Sequence, residues 1–147
     1  MRFEQPDSEQ AGHRAHTMPI QKILVVDDSP TERFALKEFL SRQGFSVVTA
    51  ESGEEAIAKA RSETPHLILM DVVMPGINGY QATRTISRDE ATRKIPIIMC
   101  TSKGEDTDKI WGMRQGALGY IVKPIDFDAL IKKIQELLQR NFADTEQ

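Results

Sequence analysis

Leu67–Met70 is an unbroken apolar run that stops at one carboxylate, Asp71, and gives way to a loop marked by Pro75, Gly76, Asn78 and Gly79. A short continuous apolar run between turn signals suits a strand covered on both faces, the condition of a strand inside a parallel sheet. Parallel strands are joined by long crossover connections, and helices usually supply them. In open sheets of this kind, ligands gather just beyond the carboxyl ends of the strands. That is where this reading puts Asp71.

The rest of the chain conforms. A strand over Lys22–Val26 ends in the pair Asp27-Asp28. Ser29 to Glu32 then reads as an S-x-x-E capping box with Pro30 at the first helical position. The helix it opens runs to about Gln43, is expected to bury Phe34, Ala35, Phe39 and Leu40, and stops at Gly44. A second strand, Phe45–Ala50, leads to a second capping box, Ser52 to Glu55, and a helix to about Ser62. After the central run, Asn78 and Gln81 bracket the start of a helix through about Arg88. Ile95–Cys100 is the fourth apolar run, with Pro96 near its start and Thr101 at its end. A polar helix over Glu105–Gln115 halts at Gly116, and the strand Gly119–Val122 closes in Lys123-Pro124. The final helix, Asp126 to about Asn141, has helical apolar spacing at Leu130, Ile131, Ile134, Leu137 and Leu138. Five strands alternating with five helices make a doubly wound α/β sheet.

The 147 residues support one domain, placed at 20–141. Residues 1–19 are polar and unpatterned and read as a disordered extension, with His13 and His16 as solvated bystanders. Residues 142–147 read as a tail. A net charge of −3 without a Lys/Arg block argues against nucleic acid as partner. The single cysteine, Cys100, lies in an apolar run and reads as a buried small hydrophobe in a reducing compartment. No apolar stretch approaches membrane-spanning length and the polar N-terminus is unlike a signal peptide, so a cytoplasmic protein without a membrane partner is expected.

The strand ends carry the chemistry. Asp27-Asp28, Asp71, Thr101 and Lys123 each close a strand, and parallel strands bring them to one sheet edge. Carboxylates held together repel unless a cation neutralises them. Few protein carboxylates with open positions suit Mg²⁺, which keeps waters and accepts phosphate oxygens. A carboxylate beside Mg²⁺ can attack phosphorus and form an aspartyl-phosphate. Phosphoryl transfer mainly needs positioning and charge stabilisation. The Thr101 hydroxyl or its neighbouring backbone N–H would hold one phosphoryl oxygen and the Lys123 ammonium another.

On VVDDS (Val25–Ser29), LMDVVMPGINGY (Leu69–Tyr80), CTS (Cys100–Ser102) and GYIVKP (Gly119–Pro124), the chain resembles the receiver domains of two-component response regulators, the CheY-like group. The resemblance implies a flavodoxin-like fold with strand order 2-1-3-4-5 and phosphorylation of Asp71 by a histidine kinase. It further implies Mg²⁺ held by Asp27, Asp28, Asp71 and the Val73 backbone carbonyl, Lys123 as phosphate-binding lysine, and Thr101 with Tyr120 as a switch pair. Phosphorylation adds roughly two negative charges. Thr101 would move toward them, and Tyr120 would turn into the space it vacates. Such a protein is no enzyme beyond the self-catalysed phosphorylation and dephosphorylation of Asp71.

A narrower resemblance, on DSPTE (Asp28–Glu32), MPGINGYQATR (Met74–Arg84) and TDKIWGMRQGA (Thr107–Ala117), is to the stand-alone PilH-like receivers of type IV pilus chemosensory systems. It implies output through protein contacts, with Lys109 and Trp111 as candidate partner surface, the alternative for Trp111 being that it covers apolar surface. The chain ends soon after its last helix, so an attached output domain is not expected. A phosphate sink or phosphorelay intermediate is the alternative role, and either would be a monomer or weak dimer. Val73 and Lys103, two residues past Asp71 and Thr101, stand where family members often carry an acid or amide that orients water, which predicts slow self-dephosphorylation. Other classes lack their motifs. A flavodoxin-type carrier needs a hydroxyl- and glycine-rich phosphate loop after the first strand, and a dinucleotide oxidoreductase needs G-x-G-x-x-G there. An aspartate-nucleophile phosphatase of the haloacid dehalogenase type needs D-x-D, where this chain has Asp27-Asp28 adjacent.

Overall fold

A computed structural model of the chain describes residues 22–102 and 113–146. Five strands, β1 (Lys22–Val26), β2 (Ser46–Ala50), β3 (Leu67–Asp71), β4 (Ile97–Thr101) and β5 (Gly119–Val122), form one sheet in the order β2-β1-β3-β4-β5. Every pairing is parallel. The crossovers among the described residues are α1 (Pro30–Arg42), α2 (Gly53–Glu63) and α3 (Gly79–Arg88), and α4 (Phe127–Glu146) closes the chain. This is the expected doubly wound, flavodoxin-like order. The expected helix at Glu105–Gln115 falls largely outside the described residues, as does the extension at 1–19.

Period-two alternation splits the core into two faces. Ile23, Val25, Leu67, Leu69, Ile98 and Cys100 point to one side, where Leu36 and Leu40 of α1 and Leu130, Ile134 and Leu137 of α4 cover them. Leu24, Val26, Ile68, Met70, Ile97 and Met99 point to the other, under Ala56 and Ala60 of α2 and Ala82 and Ile86 of α3. Residues 67–71 are buried throughout, so the run that reads as a two-faced strand is one. Cys100 is buried within the first core, and loss of solvation pushes its thiol up to about 12.

The helix phases differ from expectation in one place. Phe34 and Ala35 of α1 are exposed, Phe34 at 65%. Leu36 and Leu40, one turn apart, face the sheet instead. Each contributes about 2 kcal/mol by burial. Phe39 lies partly buried and stacks on Phe127, ring centroids 4.3 Å apart, which joins α1 to the start of α4.

The boundaries differ slightly as well. The fourth strand begins at Ile97 rather than Ile95, just past Pro96, whose ring nitrogen has no proton for the ladder. The second begins at Ser46, after Gly44 has taken the left-handed backbone (φ +101°) that ends α1. The last helix continues to Glu146 instead of ending near Asn141.

Candidate functional site

Each strand-end residue is held by the neighbouring strand's ladder. The Asp27 N–H donates to the Ala50 carbonyl (3.1 Å), the Val72 N–H to the Cys100 carbonyl (3.1 Å), and the Lys123 N–H to the Thr101 carbonyl. Parallel pairing therefore continues one residue beyond each apolar run and brings the functional side chains to one edge. The loop after β1 is fixed further. Asp27 Oδ1 accepts the Ser29 N–H at 2.9 Å, and Arg33 Nη1 donates to the Asp27 carbonyl at 2.8 Å. After β3 the chain turns sharply, with the Gly79 N–H donating to the Val72 carbonyl at 2.8 Å as α3 begins. Asn78 and Gln81 close a complete capping box there.

The three aspartates converge. One carboxylate oxygen each from Asp27, Asp28 and Asp71 lies within 4.8 Å of the others. Asp27 and Asp71 are buried and Asp28 is exposed at the mouth. Lys123 Nζ reaches into the group, 3.1 Å from Asp27 Oδ2 and 3.1 Å from Asp71 Oδ1. It is closer still to Glu32 Oε1.

Burial sets the electrostatics. Loss of solvation is the largest influence on Asp27; with the nearby Asp71 charge it outweighs the Ser29 N–H and pushes the carboxyl up to about 6. Asp71 is also raised by burial, against the lowering by Lys123. Burial alone would lower the Lys123 ammonium, but Glu32, Asp71 and Asp27 hold it above its ordinary value. An all-oxygen donor set whose buried carboxyls resist ionising is one that a hard divalent cation would complete.

Thr101 is buried at the end of β4, one register step beyond Cys100, the partner of Asp71. Tyr120 pairs with Met99, so it stands on the β5 face matching that of Thr101 and packs partly buried against the α2–α3 core. The Val73 side chain is 65% exposed just past Asp71. Lys103, Lys109 and Trp111 lie outside the described residues.

Two residues of this site were not foreseen as part of it. Glu32 was expected to close the α1 capping box. Ser29 Oγ does accept the Glu32 N–H, at 3.3 Å, but the Glu32 carboxylate turns to Lys123. Glu55 likewise leaves its box and accepts the Glu51 N–H. Arg33 is the second, and its spacing from Asp27 carries no motif that would announce it.

A parallel sheet in this order, with three aspartates and a lysine at its carboxyl edge, defines a receiver. The chain belongs to the response regulator receiver domain family, whose profile matches residues 23–135. It is 50% identical over 117 residues to the protein PilH of Pseudomonas aeruginosa, covering 80% of this chain and 97% of that one. The transcriptional regulatory protein AfsQ1 of Streptomyces coelicolor is 39% identical over 118 residues, which span 51% of its length. Among solved structures, a response regulator of Chloroflexus aurantiacus superposes with a TM-score of 0.78 at 32% identity, covering 82% of this chain and 98% of that one. The chemotaxis protein CheY4 of Vibrio cholerae superposes with a TM-score of 0.76 at 33% identity, over 80% and 98%. Among the described residues, no helix is long and apolar enough to cross a membrane.

Proposed function

We propose that this chain is a phosphoryl-accepting response regulator in which an Asp71 carboxylate oxygen attacks the phosphorus of a histidine kinase phosphohistidine. The P–N bond breaks as the P–O bond forms, and the imidazole leaves. The observation that carries this reading is the convergence of Asp27, Asp28 and Asp71 within 4.8 Å, with the Lys123 ammonium against Asp27 and Asp71. Asp27, Asp28, Asp71 and the Val73 carbonyl would hold Mg²⁺, which when bound offsets the charge of the incoming phosphoryl oxygens. Lys123 donates to one phosphoryl oxygen and Thr101 to another, and Tyr120 follows Thr101. The match to nearly all of PilH supports a stand-alone regulator of a type IV pilus chemosensory pathway that signals by protein contacts.

The test is incubation with a small acyl phosphate, with and without Mg²⁺, followed by intact mass and mapping of the modified peptide. One phosphoryl group on Asp71, requiring Mg²⁺, is the expected result. Modification elsewhere, or none from either the small donor or a phosphorylated kinase domain, overturns the reading.

The buried carboxyls make Mg²⁺ binding pH-dependent. Asp27 has a native value above its ordinary one, so between about 4 and 6 this carboxyl is protonated more in the folded protein than in the unfolded chain. The contribution of Asp27 to the stability of the metal-free protein therefore falls as pH rises through that window. Mg²⁺ must displace the same proton, so its affinity is expected to drop by roughly tenfold per pH unit below 6 and to level off above it. Calorimetric titration at pH 5, 6, 7 and 8 checks this, and a flat profile contradicts it.

Val73 presents only hydrocarbon beside Asp71 and cannot orient an attacking water. Val73→Asn is expected to shorten the phosphoryl lifetime by on the order of tenfold, since water placement is an orientation effect. Loss of phosphoryl signal in a pulse-chase at saturating Mg²⁺ measures it, and equal lifetimes would show that Val73 does not limit hydrolysis.

A further inference from the structure

We propose that Glu32 is a positioning residue that acts on the phosphorylation site through Lys123, drawing the ammonium outward and so keeping the aspartates available to a divalent cation. This rests on the reading of the site given above.

An ammonium has three N–H donors. Lys123 spends them on three carboxylates: Asp27 and Asp71 inside the pocket and Glu32 on its outer side. The inner pair are two of the three residues placed to hold Mg²⁺, so an ammonium seated between them competes with the cation for the same oxygens. Glu32 is the shortest of the three contacts and lies half-exposed on the first turn of α1, its carboxyl also against that of Asp27. Lys123 lines a cleft of about 210 Å³ whose other walls include Ala35, Leu36, Pro124 and Ile125. Glu32 is the one carboxylate among the lining residues, so this cleft offers the ammonium no other anion. Without Glu32, Lys123 settles deeper between Asp27 and Asp71. With it, the ammonium can release the aspartates as the metal enters and stay tethered within reach of a phosphoryl oxygen. This also explains why Glu32 leaves the capping box its spacing would allow.

Calorimetric Mg²⁺ titration of the full chain, at fixed pH and ionic strength, tests the idea on Glu32→Gln, Glu32→Asp, Lys123→Ala and the Glu32→Gln/Lys123→Ala pair. Glu32→Gln is expected to weaken Mg²⁺ binding roughly threefold to fivefold, the range set by one partly exposed ion pair. Glu32→Asp keeps the charge but is one methylene short of the ammonium, and it should weaken binding as much. In the Lys123→Ala background the Glu32→Gln change should no longer weaken Mg²⁺ binding, because the route through Lys123 is gone and only the contact with Asp27 is left. A wild-type-like Glu32→Asp protein, or an equal Glu32→Gln effect in both backgrounds, would mean that Glu32 acts by its field or by its contact with Asp27 rather than through Lys123, and would overturn the proposal. Unchanged affinity in both Glu32 variants would overturn it too. Phosphoryl uptake measured on the same proteins separates the two levels. Uptake and Mg²⁺ binding by wild type with no Glu32 effect refutes this inference alone, whereas a wild type that neither binds Mg²⁺ nor takes phosphoryl refutes the reading of the site.

Discussion

Replacing Asp71 with asparagine is expected to abolish phosphoryl uptake, a loss of at least about a hundredfold because the nucleophile itself is removed. It is also expected to leave the fold intact. Asn is nearly isosteric with Asp, and residue 71 ends a strand paired on both sides, with β1 and β4. The change removes a carboxylate whose burial makes ionisation costly, and Asp27 loses a neighbouring charge that helps to raise it. The Asp27 carboxyl should therefore move back toward the ordinary range. Because Asp71 is raised in the folded state, its ionisation weakens the metal-free fold above the ordinary carboxylate range. Asp71→Asn should thus gain in melting temperature relative to wild type as pH is raised from 4 to 7. Mass spectrometry after treatment with donor and Mg²⁺, alongside thermal melts at the two pH values, checks both halves. Persistent uptake would place the acceptor elsewhere. A melting difference that does not change with pH would mean the buried charge is already neutralised by Lys123.

Asp27, Asp71, Thr101 and Lys123 were legible in the sequence for a simple reason. Each closes a short apolar run, and a run buried on both faces fixes where the strand stops. Once four such strands are parallel, their ends must share an edge. What the pattern could not carry is anything decided between elements. The phase of α1 depends on how the helix settles on the sheet, so Phe34 read as core and is exposed, while Leu36, unremarked, is buried. Glu32 obeyed a local rule, the capping box, but its carboxylate answers to a lysine 91 residues later. A local spacing rule names a possible partner three residues away. It has no means to weigh that partner against an ammonium brought in by β5.

Gly79 is a third case of tertiary control, and it should be among the least replaceable residues of the chain. A Cβ built on it would lie 2.1 Å from the Asp71 carbonyl oxygen and 2.9 Å from both the Asp71 carbonyl carbon and Val72 Cα. All three are backbone atoms, so no side-chain rotation can relieve the overlap. Nor does the difficulty come from glycine's conformational freedom, because Gly79 is the first residue of a helix and is not among the glycines with positive φ. Helix propensity favours alanine by about 1 kcal/mol, and the steric term opposes it. Either α3 moves off the sheet, giving up packing at Ala82 and Ile86 and the bond from the Gly79 N–H to the Val72 carbonyl, or the end of β3 moves and carries Asp71 with it. The first route costs stability and the second costs the site. Gly79→Ala is therefore expected to lose about 3 kcal/mol in urea unfolding, the upper range for overpacking a tight core. Mg²⁺ affinity should fall with it. Gly44→Ala supplies the contrast: a Cβ there meets nothing within 4 Å, and only the φ of +101° resists it, so the cost should be about 1 to 2 kcal/mol with Mg²⁺ binding unchanged. If Gly79→Ala unfolded at the wild-type midpoint and bound Mg²⁺ normally, the close approach of α3 to the Asp71 carbonyl would not be what holds the acceptor in place.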